Sequence, residues 1–155
     1  MDIRVNGQRF VTEVPQNTKA IFVLRNDLGF RDVRQGCGTG HCGACTVLVD
    51  GRPLSTCDMP IWGLEGKEVT TVQGLGSPQN PHPVQKALLD EQAGQCGYCL
   101  SGIMATVAAL LNSPGPLSEA EVRLALDRHL CRCGTHDRII TAVMRAVRFR
   151  EKENK

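Results

Sequence analysis

The first half of the 155-residue chain alternates apolar and polar positions with the period of β-strands. Asn6-Gly7 and Asp50-Gly51 each separate two such runs, and both dipeptides are typical of tight hairpin turns. A helix is predicted to start after Asn17, which can cap it, and to stop at Gly29. The runs with strand character are residues 3–5, 9–14, 46–49, 53–56 and 68–72. This pattern predicts a small mixed sheet crossed by one helix.

In the second half, apolar residues recur every three or four positions, which is the period of helices. Four helices are predicted, and Ser118 with Glu121 forms a capping box at the start of the third. The Gly- and Pro-rich stretch 74–83 is the predicted link between a strand-rich domain, 1–75, and a helical domain, 76–155. The apolar positions are Val84, Ala87 and Leu88; Ile103, Met104, Val107, Leu110 and Leu111; Val122, Ala125 and Leu126; and Ile139, Ile140, Val143, Met144 and Val147.

Composition and charge exclude some classes of protein. Hydrophobic residues make up 41% and charged residues 22%, ordinary values for a globular chain, and no apolar run is long enough to cross a bilayer. The net charge of +2 is too small to indicate nucleic-acid binding. Residues 1–5 carry no signal sequence, so we expect a reducing cytoplasm, in which free thiols take up metal rather than form disulfides.

Eight cysteines form two quartets, and none is left over. The first reads C-x4-C-x2-C with a distant fourth cysteine, the spacing by which plant-type ferredoxins hold a 2Fe-2S cluster. The second reads C-x2-C, then a gap of 31 residues, then C-x-C. The first loop also matches G-x-G-x-x-G, but its glycines are interleaved with thiols and lead into a strand, which excludes a dinucleotide site. The quartets are Cys37, Cys42, Cys45 and Cys57, then Cys96, Cys99, Cys131 and Cys133.

The same residues fit other chemistries less well. Zinc is the main competing metal, because C-x2-C alone does not distinguish it from iron. Disulfides agree with the even number of cysteines, but the compact first loop would force implausible pairings. No thiol remains to act as a nucleophile, and no paired carboxylates or open metal position suggest a catalytic site.

The four histidines are not needed as ligands when each site has four cysteines. We expect His41 and His136 to be exposed or to lie beside the ligands, His82 to lie in a turn, and His129 to lie on a helix face. Arg132, between two cysteines, either offsets cluster charge or is exposed.

Three segments together resemble the iron-sulfur subunit of the molybdenum hydroxylases, the xanthine oxidase and aldehyde oxidoreductase family. They are residues 36–47, 95–99 and 130–134, and the resemblance covers nearly the whole chain. It implies an α+β fold with an N-terminal ferredoxin-like β-grasp domain and a C-terminal four-helix bundle. It also implies two 2Fe-2S clusters that carry electrons away from a molybdenum-pterin centre in a separate large subunit.

By the same resemblance, Gln95 is expected to hydrogen-bond the pterin, with the Cys133 sulfur beside it; the less favoured alternative is an exposed polar residue before a helix. The second cluster would lie nearest the pterin and the first farther out. Leu100-Ser101-Gly102 after C-x2-C and Gly134-Thr135-His136 after the last cysteine look like the nicotinate and isoquinoline dehydrogenase branch. In that branch the acceptor is often a c-type haem without a flavin subunit, and the sequence leaves both acceptors open. The expected compartment stays the cytoplasm, with the periplasm as the alternative if a partner carries the folded chain there.

The leading hypothesis is therefore an electron-transfer subunit of a molybdenum hydroxylase that oxidises an N-heterocycle or an aldehyde. Its rival is an independent two-cluster ferredoxin, or a metal-stabilised binding module, without a molybdenum partner. An exposed apolar patch on the helical domain would favour the first hypothesis.

Overall fold

Two tight turns shape the sheet. In the computed structural model, which describes residues 1–153, Asn6 and Gly7 have φ of 52° and 76°, and Asp50 and Gly51 have φ of 48° and 77°. Two successive residues with positive φ are the mark of the type I′ turn, which favours Asn-Gly and Asp-Gly. Each turn joins two antiparallel strands, so both predicted hairpins are confirmed.

The strands are β1 (Asp2–Val5), β2 (Gln8–Val11), β3 (Thr46–Val49), β4 (Arg52–Ser55) and β5 (Glu68–Thr70). The sheet is mixed, as predicted, and its strands follow the order β2-β1-β5-β3-β4. β1 and β5 are parallel, and the other neighbouring strands are antiparallel. β2 is shorter than predicted because its pairing with β1 ends where Val11 lies opposite Asp2. β5 is shorter because the Thr71 N–H donates instead to Asn6 Oδ1 over 2.9 Å.

The first helix starts later than predicted. α1 spans Ala20–Phe22 and continues as a π-helical turn over Val23–Asp27. The prediction that Asn17 caps it was wrong, because the chain before Ala20 is extended and bonded elsewhere. The Thr18 carbonyl accepts the N–H of Ile61 over 2.8 Å, in the 3₁₀ turn Ile61–Leu64.

Five further helices follow, and the predicted capping box is confirmed. Ser118 Oγ accepts the Glu121 N–H over 3.2 Å, and the Glu121 carboxylate accepts the Ser118 N–H over 2.8 Å. His82 similarly caps α3, in the turn expected for it. The helices are α2 (Val72–Leu75), α3 (Pro83–Asp90), α4 (Leu100–Asn112), α5 (Glu119–Leu126) and α6 (His136–Glu153).

Two apolar cores are joined through α4. One lies between the sheet, α1 and the 3₁₀ turn, and the other lies among α3, α4, α5 and α6. Leu48 of β3 packs against Ala105 and Ala108 of α4, and all three are buried. Small side chains on this face of α4 bring the helix close to the sheet and to the loop before β3. Within residues 1–153, no helix combines the length and apolar character needed to span a bilayer.

Candidate metal sites

The loop between α1 and β3 carries the first three cysteines and bends sharply around their sulfurs. Gly40 and Gly43 have φ of 75° and 73°, which only glycine adopts without strain. A Cβ on Gly36 would lie 2.5 Å from Cys42 Sγ. Close approach of backbone to sulfur therefore requires glycine here.

Backbone N–H groups in this loop point at the sulfurs. Thiolates accept such bonds, and bonds to the charged form of a group favour that form. The contacts are Cys37 N to Cys42 Sγ, 3.3 Å; Thr39 N, His41 N and Cys42 N to Cys37 Sγ, 3.4, 3.3 and 3.4 Å; and Gly40 N to Cys57 Sγ, 3.2 Å. The loop is built to hold anionic sulfur.

Two thiols of the first quartet have pKa values shifted in opposite directions. Hydrogen bonds from Thr39, with others from the backbone, lower the pKa of the exposed Cys37 to about 5. Burial raises the pKa of the buried Cys57 to about 12, and the neighbouring Cys45 thiol acts in the same direction. Cys37 is therefore ionised at neutral pH, whereas Cys57 gives up its proton only when it binds a metal.

The second quartet is assembled from the segments that precede two helices. Cys99 is the residue immediately before α4, and Cys131 and Cys133 lie just before α6, so two helix N-termini meet at these thiols as the sequence predicted. The Cys133 thiol acts to lower the pKa of Cys96 and the Cys131 thiol acts to raise the pKa of Cys99, so the two segments bring these thiols near one another. Helix N-termini carry partial positive charge, which favours thiolates and an anionic centre.

Local hydrogen bonds and burial again separate the pKa values of these thiols. Burial raises the pKa of Cys99 to about 12. Burial also acts to raise that of Cys131, but hydrogen bonds from Thr135 outweigh it and the pKa falls to about 6. The N–H of Tyr98 lowers the pKa of the exposed Cys96. All eight cysteines are free thiols.

Neighbouring thiols influence one another's pKa: Cys45 acts on Cys57, Cys133 acts on Cys96, and Cys131 acts on Cys99. In the described part of the chain, no three or more His, Cys, Asp or Glu side chains are arranged to hold a single metal ion. A 2Fe-2S cluster differs from a zinc site in that its four thiolates are shared between two irons.

The two quartets are neighbours. The Leu130 N–H donates to the Cys42 carbonyl over 3.1 Å and so links the ligand loop of one quartet to the residue before Cys131 of the other. Arg128 donates to the Gly40 carbonyl over 3.0 Å. A cavity of about 240 Å³ lies between the quartets, and its walls include Cys37, Cys42, Cys96, Cys99 and Cys131.

His129 is a buried residue at this junction that the sequence placed incorrectly. It lies in the loop between α5 and α6 rather than on a helix face, and only 2% of its surface is exposed. Its Nε2 is 2.8 Å from Thr106 Oγ1, its ring packs on Gly43, and burial lowers its pKa to about 4. Nothing in the local sequence distinguishes it from an exposed loop histidine.

The remaining candidate residues lie at the surface. His41 and His136 are exposed, as expected, and their rings contact Thr39 Oγ1 at 3.1 Å and the His129 carbonyl at 3.1 Å. Gln95 and Arg132 are also exposed, beside Cys96 and between Cys131 and Cys133.

Two family models together cover most of the chain. Residues 3–75 match the 2Fe-2S iron-sulfur cluster binding domain, and residues 71–144 match the 2Fe-2S binding domain. The fold and the two thiol quartets thus define a protein with two 2Fe-2S domains.

Comparison with named proteins shows which family of 2Fe-2S proteins the chain is similar to. A nicotinate dehydrogenase subunit from Pseudomonas putida is 45% identical over 98% of this chain and 97% of its own length. The alpha chain of isoquinoline 1-oxidoreductase from Brevundimonas diminuta is 43% identical over 93% and 95%. A chain of quinoline 2-oxidoreductase from Pseudomonas putida superimposes with a TM-score of 0.90 at 30% identity, covering 98% of this chain and 95% of that one.

The chain belongs to the family of iron-sulfur subunits of the molybdenum hydroxylases. It is an electron-transfer subunit of an oxidoreductase, and the resemblance drawn from its sequence is confirmed.

Proposed function

We propose that the chain relays electrons through two 2Fe-2S clusters from a molybdenum-pterin centre in a large partner subunit to a downstream acceptor. Each cluster, when bound, takes up and releases one electron at a time. The second cluster receives electrons from the partner, and the first passes them on. The ligands are Cys37, Cys42, Cys45 and Cys57 for the first, and Cys96, Cys99, Cys131 and Cys133 for the second.

The residues present suit these clusters. Each quartet supplies the four thiolates that a 2Fe-2S cluster needs, and the N–H groups aimed at Cys37, Cys42 and Cys57 stabilise negative charge on sulfur. Glycines at 36 and 40 leave room for the loop to close around the group. Hydrogen bonds to sulfur and burial are the means by which a protein sets cluster potential.

The observation that carries the proposal is the direct link between the quartets. The Leu130 N–H to Cys42 carbonyl bond joins the two ligand segments through one hydrogen bond and a short run of covalent bonds. Cys37 and Cys96, one from each quartet, both line the cavity between the quartets. A relay needs its two centres close together, and this link holds the two ligand segments side by side.

The exposed face of the second quartet is the proposed contact with the molybdenum subunit. Gln95 is exposed directly before Cys96, and we propose that it hydrogen-bonds the pterin, with the Cys133 sulfur beside it. Leu130 is 64% exposed and Tyr98 43% exposed next to these cysteines. Exposed apolar side chains at a cluster favour an obligate partner over the alternative of an independent ferredoxin or binding module.

Further proposals concern the substrate, the electron acceptor, the compartment and the domains. We propose that the complex oxidises an N-heterocycle or an aldehyde, and that the acceptor is a c-type haem domain or a flavin subunit. The proposed compartment is the cytoplasm, or the periplasm if the folded chain is carried there by its partner. Residues 1–75 and 76–155 are proposed as the two domains, the first a β-grasp fold and the second a four-helix bundle of α3 to α6.

Gentle purification from the native source tests the proposal. We expect about four irons and equivalent sulfide per chain, two distinct 2Fe-2S EPR signals, and molybdenum in a co-purifying subunit. Zinc without sulfide would overturn the redox assignment. Two clusters without a molybdenum partner would favour the independent ferredoxin.

A variant tests the pterin contact separately. Gln95→Ala should retain both EPR signals but slow reduction of the clusters by substrate in the complex or lower its molybdenum content. The matched control is Gln79→Ala, which removes an exposed glutamine in the segment before α3. Unchanged reduction kinetics and molybdenum content in Gln95→Ala would exclude the contact.

A further inference from the structure

Arg34 is a half-buried cation that stands between the two quartets. It lies three residues before Cys37, the first ligand candidate of the sheet domain. Its guanidinium carbon is 5.5 Å from the centre of the Tyr98 ring, and Tyr98 lies between Cys96 and Cys99 of the other quartet. One positive charge is therefore placed beside both ligand loops.

Tyr98 is held firmly enough to fix this position. Its hydroxyl donates to the Gln35 carbonyl over 2.7 Å, and its backbone N–H donates to Cys96 Sγ over 3.5 Å. The residue also forms part of the wall of the cavity between the quartets. A cation over the face of an anchored aromatic ring is attracted by the ring and restricted in its movement.

Arg34 has no carboxylate to balance its charge among the residues that the structure describes. None of the ion pairs within residues 1–153 includes it, and its Nε is buried without a hydrogen-bond partner. The nearby Asp32 instead accepts the Gln73 N–H on Oδ2, over 3.0 Å. Partly buried charges are normally paired, so the missing partner calls for an explanation.

We infer that Arg34 is the counter-charge of the clusters and raises their reduction potentials. The inference rests on the proposed assignment of the eight cysteines. Adding one electron to a cluster held by four thiolates increases its negative charge, and a fixed cation nearby stabilises that reduced state. The effect is larger for the second cluster, because the guanidinium rests on a residue of its ligand loop.

EPR-monitored redox titration of the full chain with both clusters assembled tests the inference. Arg34→Gln should lower the midpoint potentials of both signals, and more for the second, whereas Arg34→Lys should restore most of the difference. Arg31→Gln is the matched control, since Arg31 is exposed and its loss changes the net charge equally. Tyr98→Leu, which removes the ring, should reduce the effect of Arg34→Gln in the double variant.

The possible outcomes distinguish a failure of the role inferred for Arg34 from a failure of the cysteine assignment on which it rests. Absence of two 2Fe-2S signals in the wild-type chain would refute the cysteine assignment itself. Two wild-type signals with unchanged potentials in Arg34→Gln, or an equal shift in Arg31→Gln, would refute the role of Arg34 alone. Iron loss in Arg34→Gln but not in Arg34→Lys would support the charge role, and iron loss in both would refute it, because shape rather than charge would then matter.

Discussion

Gly102→Ala is predicted to push the two cluster-binding segments apart. Gly102 lies in α4, three residues after Cys99, and it is buried against the loop that carries the first quartet. A Cβ at this position would overlap the Gly43 carbonyl oxygen and lie 2.9 Å from the Gly43 carbonyl carbon. It would also lie 3.3 Å from Ala44 Cα, so every near neighbour is backbone that cannot rotate away.

The magnitude follows from two opposing effects. Ordinary contacts begin at 3.4 Å, so the carbonyl carbon alone requires a separation of about 0.5 Å, and the oxygen requires more. Overpacking costs about 1–3 kcal/mol, and rigid backbone places this site near about 3 kcal/mol. Alanine in a helix is favoured over glycine by about 1 kcal/mol. The net loss is therefore about 2 kcal/mol, which for a chain of this size lowers the melting temperature by about 4–8 °C.

Two measurements on the cluster-loaded chain check this prediction. Calorimetry gives the change in melting temperature, and EPR of the fully reduced chain gives the magnetic interaction between the clusters. That interaction should weaken, because the displaced loop includes Cys42, whose carbonyl accepts the Leu130 N–H.

The control is Gly94→Ala, in which the new Cβ would meet only the flexible end of Leu100 at 2.8 Å. It should leave both measurements near their wild-type values. A Gly102→Ala chain with the wild-type melting temperature and the wild-type magnetic interaction would contradict the prediction. The tight contact between α4 and the loop would then not set the spacing of the clusters.

Three further predictions concern the sites. Gly40→Ala should weaken the first EPR signal and spare the second, because the φ of 75° at Gly40 strains alanine and the Gly40 N–H donates to Cys57 Sγ. Cluster assembly on the metal-free chain should strengthen from pH 6.5 to 8.5, roughly tenfold per pH unit for each thiol that must lose a proton. Cys57 and Cys99, each with a pKa of about 12, are two such thiols, and iron titration at several pH values checks this. Burial lowers the pKa of His129 from 6.5 to about 4, so stability should fall by about 3 kcal/mol as the pH drops through that window, because only the unfolded chain takes up the proton.

Each of these predictions has a result that contradicts it. Gly115→Ala, at a positive φ with open space around it, should keep both signals, and equal loss there would contradict the role of the Gly40 N–H. Iron affinity that does not change with pH would mean that the buried thiols are already ionised. His129→Asn should show a shallower acid loss in pH-dependent denaturation than the wild type, and identical curves would exclude His129 as the source.

Local sequence was enough to predict the regular elements. Asn6-Gly7 and Asp50-Gly51 determine the hairpins, because both residues of each pair adopt the positive φ that the turn requires. The Ser118 capping box starts α5 where expected. The wrong prediction of the helix start arose where residues distant in sequence pair with the backbone just before the helix. The extended segment before Ala20 pairs with the segment near Pro60, and this removed the cap predicted at Asn17.

The eight thiols could be recognised from spacing, because four cysteines in a glycine-rich loop leave few other chemistries. The residues that lie beside these thiols could not be recognised from spacing. That Cys96 adjoins Cys133, that His129 is buried on Gly43 and that Arg34 rests on Tyr98 depend on residues that lie far apart in the chain.

The sequence by itself determined the two cysteine quartets, the order of the elements and the family, since turn dipeptides, helical periodicity and cysteine spacing are local properties. Only the tertiary structure decided how close the two sites lie and which charges face them. Those features come from the packing of α4 on β3 through Leu48 and Ala105, and from the glycine contact between 43 and 102. Contact between segments distant in sequence depends on the whole packed interface, and no short stretch of sequence encodes it.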